Sequence, residues 1–159
     1  MSTSGKKSRY SLEDYFWMLE LSELKLEYYD GEILAMAGGS YQHSLIKSNL
    51  NRAIGNAIQE KDCTIHDGDL LVHIAEANSM VYPDRVVICG PPEFHEQNAQ
   101  AILNPILIGE VLSPSTREWD LEGKLDQYIL LASLREYVLL EQREAKVTVH
   151  RLVDDSNWE

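Results

Sequence analysis

The run Ile106-Leu107-Ile108-Gly109-Glu110-Val111-Leu112 constrains this chain most, because it sets one carboxylate inside an otherwise apolar strand. A continuous apolar run of this length reads as a buried strand. A carboxylate there is costly unless a metal, a cation or hydrogen bonds compensate it. Glu110 shares a strand face with Ile106, Ile108 and Leu112, while Gly109 leaves the opposite face without a side chain. A second acid, Asp84, opens the run Val86-Val87-Ile88 and follows Pro83, whose missing N–H suits a strand start or edge. If the two strands are neighbours, the carboxylates converge at the strand ends and offer oxygen-only ligation, the preference of Mg²⁺ or Mn²⁺. If they are not, Asp84 is a turn residue and Glu110 lies at a wet edge. Spacing alone leaves the two readings even.

The rest of the chain supplies a frame for that pair. Residues 1–10 read as a flexible, polar N-terminus, and residues 11–159 as one domain. Ser11 with Asp14 starts a helix whose stripe is Leu12, Phe16 and Leu19. Asp30-Gly31 joins two strand-like runs as a hairpin. Gly38-Gly39-Ser40 precedes a helix from about Tyr41 to Glu60, with Ile46, Leu50, Ala53, Ile54 and Ala57 as its core face. Strands follow around Cys63–Ile65, Leu70–Ile74 and Val81–Cys89, and residues 93–104 read as a polar loop. After the Glu110 strand, a helix is expected from about Arg117 to Ala132, with Leu121, Leu125, Tyr128, Ile129 and Ala132 facing the core. A hairpin, Glu136–Glu141 with Lys146–Val153, closes the chain. The order predicts an α/β or mixed α+β class: a central mixed β-sheet flanked by helices, with an N-terminal helix and β-hairpin.

Composition narrows the partners. At 159 residues with 44% apolar side chains, the chain can bury a core without disulfides. No apolar run approaches the length of a membrane span, and no secretory signal follows the basic Lys6, Lys7 and Arg9. Cys63 and Cys89 lack C-x-x-C spacing and read as buried reduced thiols, which places the protein in the cytoplasm. The net charge of −12 argues against tight non-specific DNA binding, which needs cations for phosphates. A local basic groove, or divalent metal offsetting carboxylates and phosphates together, remains compatible with it.

Several stretches, in this order and spacing, resemble the Uma-type restriction-endonuclease family of the PD-(D/E)XK nuclease superfamily. They are Leu26-Glu27-Tyr28-Tyr29-Asp30-Gly31-Glu32, Tyr82-Pro83-Asp84, Glu110-Val111-Leu112-Ser113-Pro114-Ser115-Thr116, Asp120 with Lys124 and Tyr128, and Leu134–Leu139. The resemblance runs from about Ser11 to Val153. It implies a restriction-endonuclease-like core with four sheet strands and a metal site at one end. It also implies Mg²⁺- or Mn²⁺-dependent hydrolysis of DNA phosphodiesters, with Asp84 and Glu110 as metal ligands and Glu27 as an assisting acid. The sequence departs from the full motif two residues beyond Glu110, where Leu112 replaces a lysine; the resemblance offers Lys124 as a migrated substitute. An i,i+4 ion pair with Asp120 on a solvated face explains Lys124 equally well.

His43, Arg117 and Tyr128 are the candidate substrate contacts. For His43 the plainer account is a partly buried histidine on the apolar helix face, and for Arg117 a pair with Asp120. Asp69 reads first as a turn residue, and Trp119 as packing at a helix start rather than a base-stacking surface. The alternative function is a catalytically inert binding or assembly module, which the missing lysine and the acidity favour. Family members commonly continue past the tryptophan corresponding to Trp158 with another strand pair. A bare sheet edge, or one covered in a homodimer, is therefore expected.

Overall fold

The computed structural model describes residues 9–159, so the expectation for the first eight residues lies outside it. Arg9 and Tyr10 are held in place, contrary to a frayed start. Arg9 pairs with Asp30 at 2.9 Å, and the Tyr10 N–H donates to Gly31 O. Helix α1 (Leu12–Leu21) begins in a reciprocal capping box between Ser11 and Asp14. Strands β1 (Leu26–Tyr29) and β2 (Glu32–Ala35) form the expected hairpin. Asp30 and Gly31 both take positive φ there, as a two-residue turn of the right twist requires. Helix α2 (Tyr41–Ile58) is capped by Ser40.

Then follow β3 (Cys63–Asp67), β4 (Leu71–Ile74), β5 (Ser79–Val81) and β6 (Arg85–Cys89). The segment read as a polar loop is a second hairpin, β7 (Phe94–His95) and β8 (Asn98–Ile102). Its polar residues line a sheet edge, while Ala101 and Ile102 are buried beside β4 in a parallel pairing that spacing does not reveal. Strand β9 (Leu107–Val111) carries Glu110. The following helix is not regular. A π-helical turn, Trp119–Gly123, leads into α3 (Lys124–Tyr128), and the buried side is Asp120, Lys124 and Tyr128. Ile129 and Ala132, expected in the core, are exposed, because the wider turn rotates the stripe. Strands β10 (Glu136–Leu140) and β11 (Val147–Arg151) end the fold.

The strands form two mixed sheets, ordered β2-β1-β5-β4-β8-β7 and β11-β10-β9-β6-β3. This matches the expected class; the sheet holding the acids has five strands rather than four. The main core lies between the sheets and under α3, from Val72, Ile74 and Val81 across to Val86, Ile108, Tyr128 and Leu139. On the other face of the second sheet, α2 presses Leu50 onto Gly109, where an added Cβ would sit 3.0 Å from the leucine. Residues 157–159 return along the outer edge of β11, with paired hydrogen bonds between Arg151 and Glu159. The edge expected to be bare is thus covered at that end by the chain itself.

The reduced-thiol expectation is overturned: Cys63 and Cys89 form a disulfide. They are direct partners in the antiparallel β3–β6 register, and the Gly90 N–H to Asp62 O bond beside them marks theirs as a non-hydrogen-bonded, close pair. The argument from reduced thiols to a cytoplasmic location falls with it. Closing a loop of this size stabilises a fold by about 3 kcal/mol. Urea denaturation with and without dithiothreitol should show that difference in wild type and none in Cys63→Ala/Cys89→Ala; equal wild-type curves would refute it.

Candidate functional site

Strands β6 and β9 are antiparallel neighbours, with Arg85 opposite Gly109. One step beyond that pair the ladder stops, and two side chains replace it. The Val111 N–H donates to Asp84 Oδ2 at 2.8 Å, and the Asp84 N–H donates to Glu110 Oε2 at 3.2 Å. Each carboxylate is therefore fixed by the main chain of the other's strand, and both are buried. The even reading from spacing resolves in favour of convergence.

Two helices supply basic side chains. From α2, His43 Nε2 lies 3.1 Å and Lys47 Nζ 3.0 Å from Asp84 Oδ1, one helical turn apart on the inner face. From α3, Lys124 Nζ donates to Glu110 Oε1 at 2.9 Å and sits 3.1 Å from Asp120 Oδ1. Tyr128 donates its hydroxyl to the same Glu110 oxygen at 2.9 Å. The Asp120–Lys124 pair is thus present, but it is buried rather than solvated. The π-turn makes this possible by setting Asp120, Lys124 and Tyr128 on one inner face. Gly123 supports the turn, since an added Cβ would meet the Trp119 ring at 2.0 Å. The Trp119 ring also packs edge-on to Tyr29.

Glu27, buried on β1, accepts the Tyr82 N–H at 2.9 Å and the Tyr29 hydroxyl at 2.7 Å, and its charge bears on Lys124. Arg117 is not brought to the acid pair. It binds Glu141 at 2.8 Å, not Asp120, and lines a neighbouring cavity of about 410 Å³ with Leu112, Gln142 and Arg143. Asp69 is an exposed turn residue paired with Lys25. Sequence reasoning missed Lys47, Gln142, whose amide reaches His43 Nδ1 at 3.3 Å, and Arg85. Arg85 is buried and donates to the carbonyls of Asp84 and Lys47, tying α2 to β6. The i,i+4 spacing of His43 and Lys47 was the available signal.

Burial disfavours the Asp84 anion, but hydrogen bonds from His43 and the Val111 N–H and the charge of Lys47 outweigh it, so its carboxyl titrates below the usual range. Glu110 goes the other way. Burial, reinforced by Asp84 and Asp120 and only partly offset by Lys124, pushes it up to about 7. Burial alone would lower Lys124, yet Glu110, Glu27 and Asp120 hold it well above its ordinary value.

Residues 12–159 match the Uma2 family, described as "Putative restriction endonuclease". The chain belongs to this family. Two Synechocystis proteins, both named only as uncharacterized (slr1290 and sll1609), are relatives at 34% identity. The first aligns over 99% of this chain and 82% of its own length, the second over 91% and 82%. A crystal structure titled "putative nuclease belonging to DUF820" from Anabaena variabilis superposes with a TM-score of 0.68 at 21% identity, covering 91% of this chain and 82% of that one. At that identity the likeness speaks for the fold.

The opposed shifts set a pH profile. Below its ordinary value of 3.8, Asp84 loses its native partners as it takes up a proton, so stability falls toward acid. Between 4.5 and about 7 the folded chain holds a proton on Glu110 that the unfolded chain has released, so stability falls again as pH rises. The loss across that window is about 3 kcal/mol. Denaturation at a series of pH values in EDTA should show this decline in wild type and a flat response in Glu110→Gln; equal slopes in both would refute it.

Proposed function

We propose that this Uma2 protein is a divalent-metal-dependent phosphodiesterase acting on DNA. The observation that carries this is the buried lysine, Lys124, held between Glu110 and Asp120 beside a second strand-end carboxylate. Buried ion pairs of this kind are weak devices for stability, because desolvation offsets their attraction. A cluster of two opposed pKa shifts in such a setting is better explained by chemistry.

The donor set fits Mg²⁺ or Mn²⁺. Asp84 Oδ2 and Glu110 Oε2 each accept one main-chain N–H and keep a second lone pair, giving hard oxygen donors from adjacent strands. Among the described residues no group of three or more His, Cys, Asp or Glu side chains is placed to hold an ion. Asp84 and Glu110 would thus hold it with water and substrate oxygens, as Mg²⁺ tolerates. When bound, such an ion lowers the pKa of a water and offsets charge on phosphate oxygens.

The chain's own residues do the rest. Lys124, kept charged by its three acids, is the group that orients a water or donates to a phosphoryl oxygen. Tyr128 fixes Glu110, and His43 with Lys47 fixes Asp84. Glu27, anchored by Tyr82 and Tyr29, adds negative charge on the Lys124 side. The competing reading, an inert module that keeps the fold, rests on Leu112 at the lysine position and on the four carboxylate oxygens already having donors.

Plasmid cleavage with Mg²⁺ or Mn²⁺ separates the two. Asp84→Asn and Lys124→Met should each lose activity by about a hundredfold or more while melting cooperatively. Cleavage by Asp84→Asn at the wild-type rate, or none by wild type with either ion, would refute the enzyme.

A further inference from the structure

The loop between β10 and β11 reaches the start of α2 through Gln142. Its backbone is pinned beside that residue: the Glu141 N–H donates to Lys146 O at 3.0 Å, and Arg117 donates to the Glu141 carboxylate at 2.8 Å. Gln142 is half-buried, and its amide meets two residues of the helix start. Gln142 Oε1 lies 3.3 Å from Ser40 Oγ, and Gln142 Nε2 lies 3.3 Å from His43 Nδ1. His43 Nε2 in turn lies 3.1 Å from Asp84 Oδ1.

The donors in this chain of contacts run one way. Ser40 Oγ caps α2 by accepting the His43 N–H at 3.1 Å, which leaves its own proton to donate to Gln142 Oε1. An amide whose oxygen is engaged in this way presents its NH₂ to His43 Nδ1, and that nitrogen is then a bare acceptor. The ring proton of a neutral imidazole therefore stands on Nε2 and is donated to Asp84 Oδ1. Turning the amide over would set its oxygen against Nδ1, and a neutral ring would then aim a bare Nε2 at an anionic oxygen. Which nitrogen of a histidine carries the proton is set by the hydrogen bond that the other makes.

We infer that Gln142 is a positioning residue for Asp84, acting through His43. The inference rests on the metal-dependent reading and deepens it. With His43 and Lys47 both on Oδ1, the lone pair left for an ion is on Oδ2, beside the bond from the Val111 N–H. Gln142 touches neither ion nor substrate in this arrangement. Without its amide the imidazole is held at one nitrogen only and is free to turn about its Cβ–Cγ bond, so Asp84 loses a fixed donor.

The direction of the hydrogen bond is measurable. ¹⁵N NMR in EDTA at about pH 8.5, above the ordinary range of histidine, reads the two ring nitrogens separately. His43 is assigned by its loss in His43→Asn. Wild type should show a protonated Nε2 and a bare, hydrogen-bonded Nδ1. Gln142→Met, of similar length but without donors, should move the Nδ1 signal to that of a bare nitrogen with no donor. Gln142→Glu offers an acceptor instead and should move the same signal the opposite way, toward a protonated nitrogen. A side chain that only filled space would not reverse the shift. Calorimetric titration with Mn²⁺ should find Gln142→Met about tenfold weaker than wild type while it still melts cooperatively. A protonated Nδ1 in wild type, an Nδ1 signal indifferent to both substitutions, or equal Mn²⁺ affinity in wild type and Gln142→Met would each overturn the inference. A wild type that binds no Mn²⁺ would instead remove the metal reading, and the nitrogen signals would still decide whether Gln142 orients His43.

Discussion

Everything at this site depends on two backbone amides that leave the sheet ladder to bind carboxylates. Where β6 and β9 would otherwise continue pairing, Val111 donates to Asp84 and Asp84 donates to Glu110. This exchange ends the strand pair and holds the two acids at its end. It also makes them buried and close, and so obliges the neighbouring elements to bring cations. The two helices answer from opposite faces: α2 with His43 and Lys47, and α3 with Lys124. Arg85, reaching the carbonyls of Asp84 and Lys47, keeps the first of these in register with the strand.

The two acids differ because their partners differ. Asp84 receives an imidazole, an ammonium and a main-chain amide, which together exceed the penalty of burial. Glu110 lies deeper, shares its lysine with Asp120, and accepts the buried Tyr128 hydroxyl. Environment, not residue type, divides their titration, as it does wherever paired carboxylates take different roles.

How far the sequence could be read follows the range of each interaction. Asp84 and Glu110 were legible because a carboxylate in an apolar run contradicts its surroundings locally. The first hairpin and the caps at Ser11 and Ser40 were legible for the same reason. The inner face of α2 was misread, because Ala53 and Ala57 suit a core by composition yet are exposed, whereas Lys47 points inward to a partner far away in sequence. The β8–β4 pairing and the Cys63–Cys89 bond depend on long-range register, which no local pattern encodes. Lys124 was recognised by resemblance; its burial depended on a turn that helical periodicity does not foresee.

That turn has a consequence for how the chain tolerates insertion and deletion. A π-turn holds one residue more than the regular helix it interrupts. Ordinary helical pitch over the same residues would swing every later side chain by about 100° around the axis. Lys124 and Tyr128 would leave Glu110 together, while the strands, the core and the other carboxylate stayed where they are. Loss of one residue within Trp119–Gly123 would instead take up the extra residue and leave Lys124 and Tyr128 facing Glu110, so this turn tolerates a deletion that the regular helix after it would not.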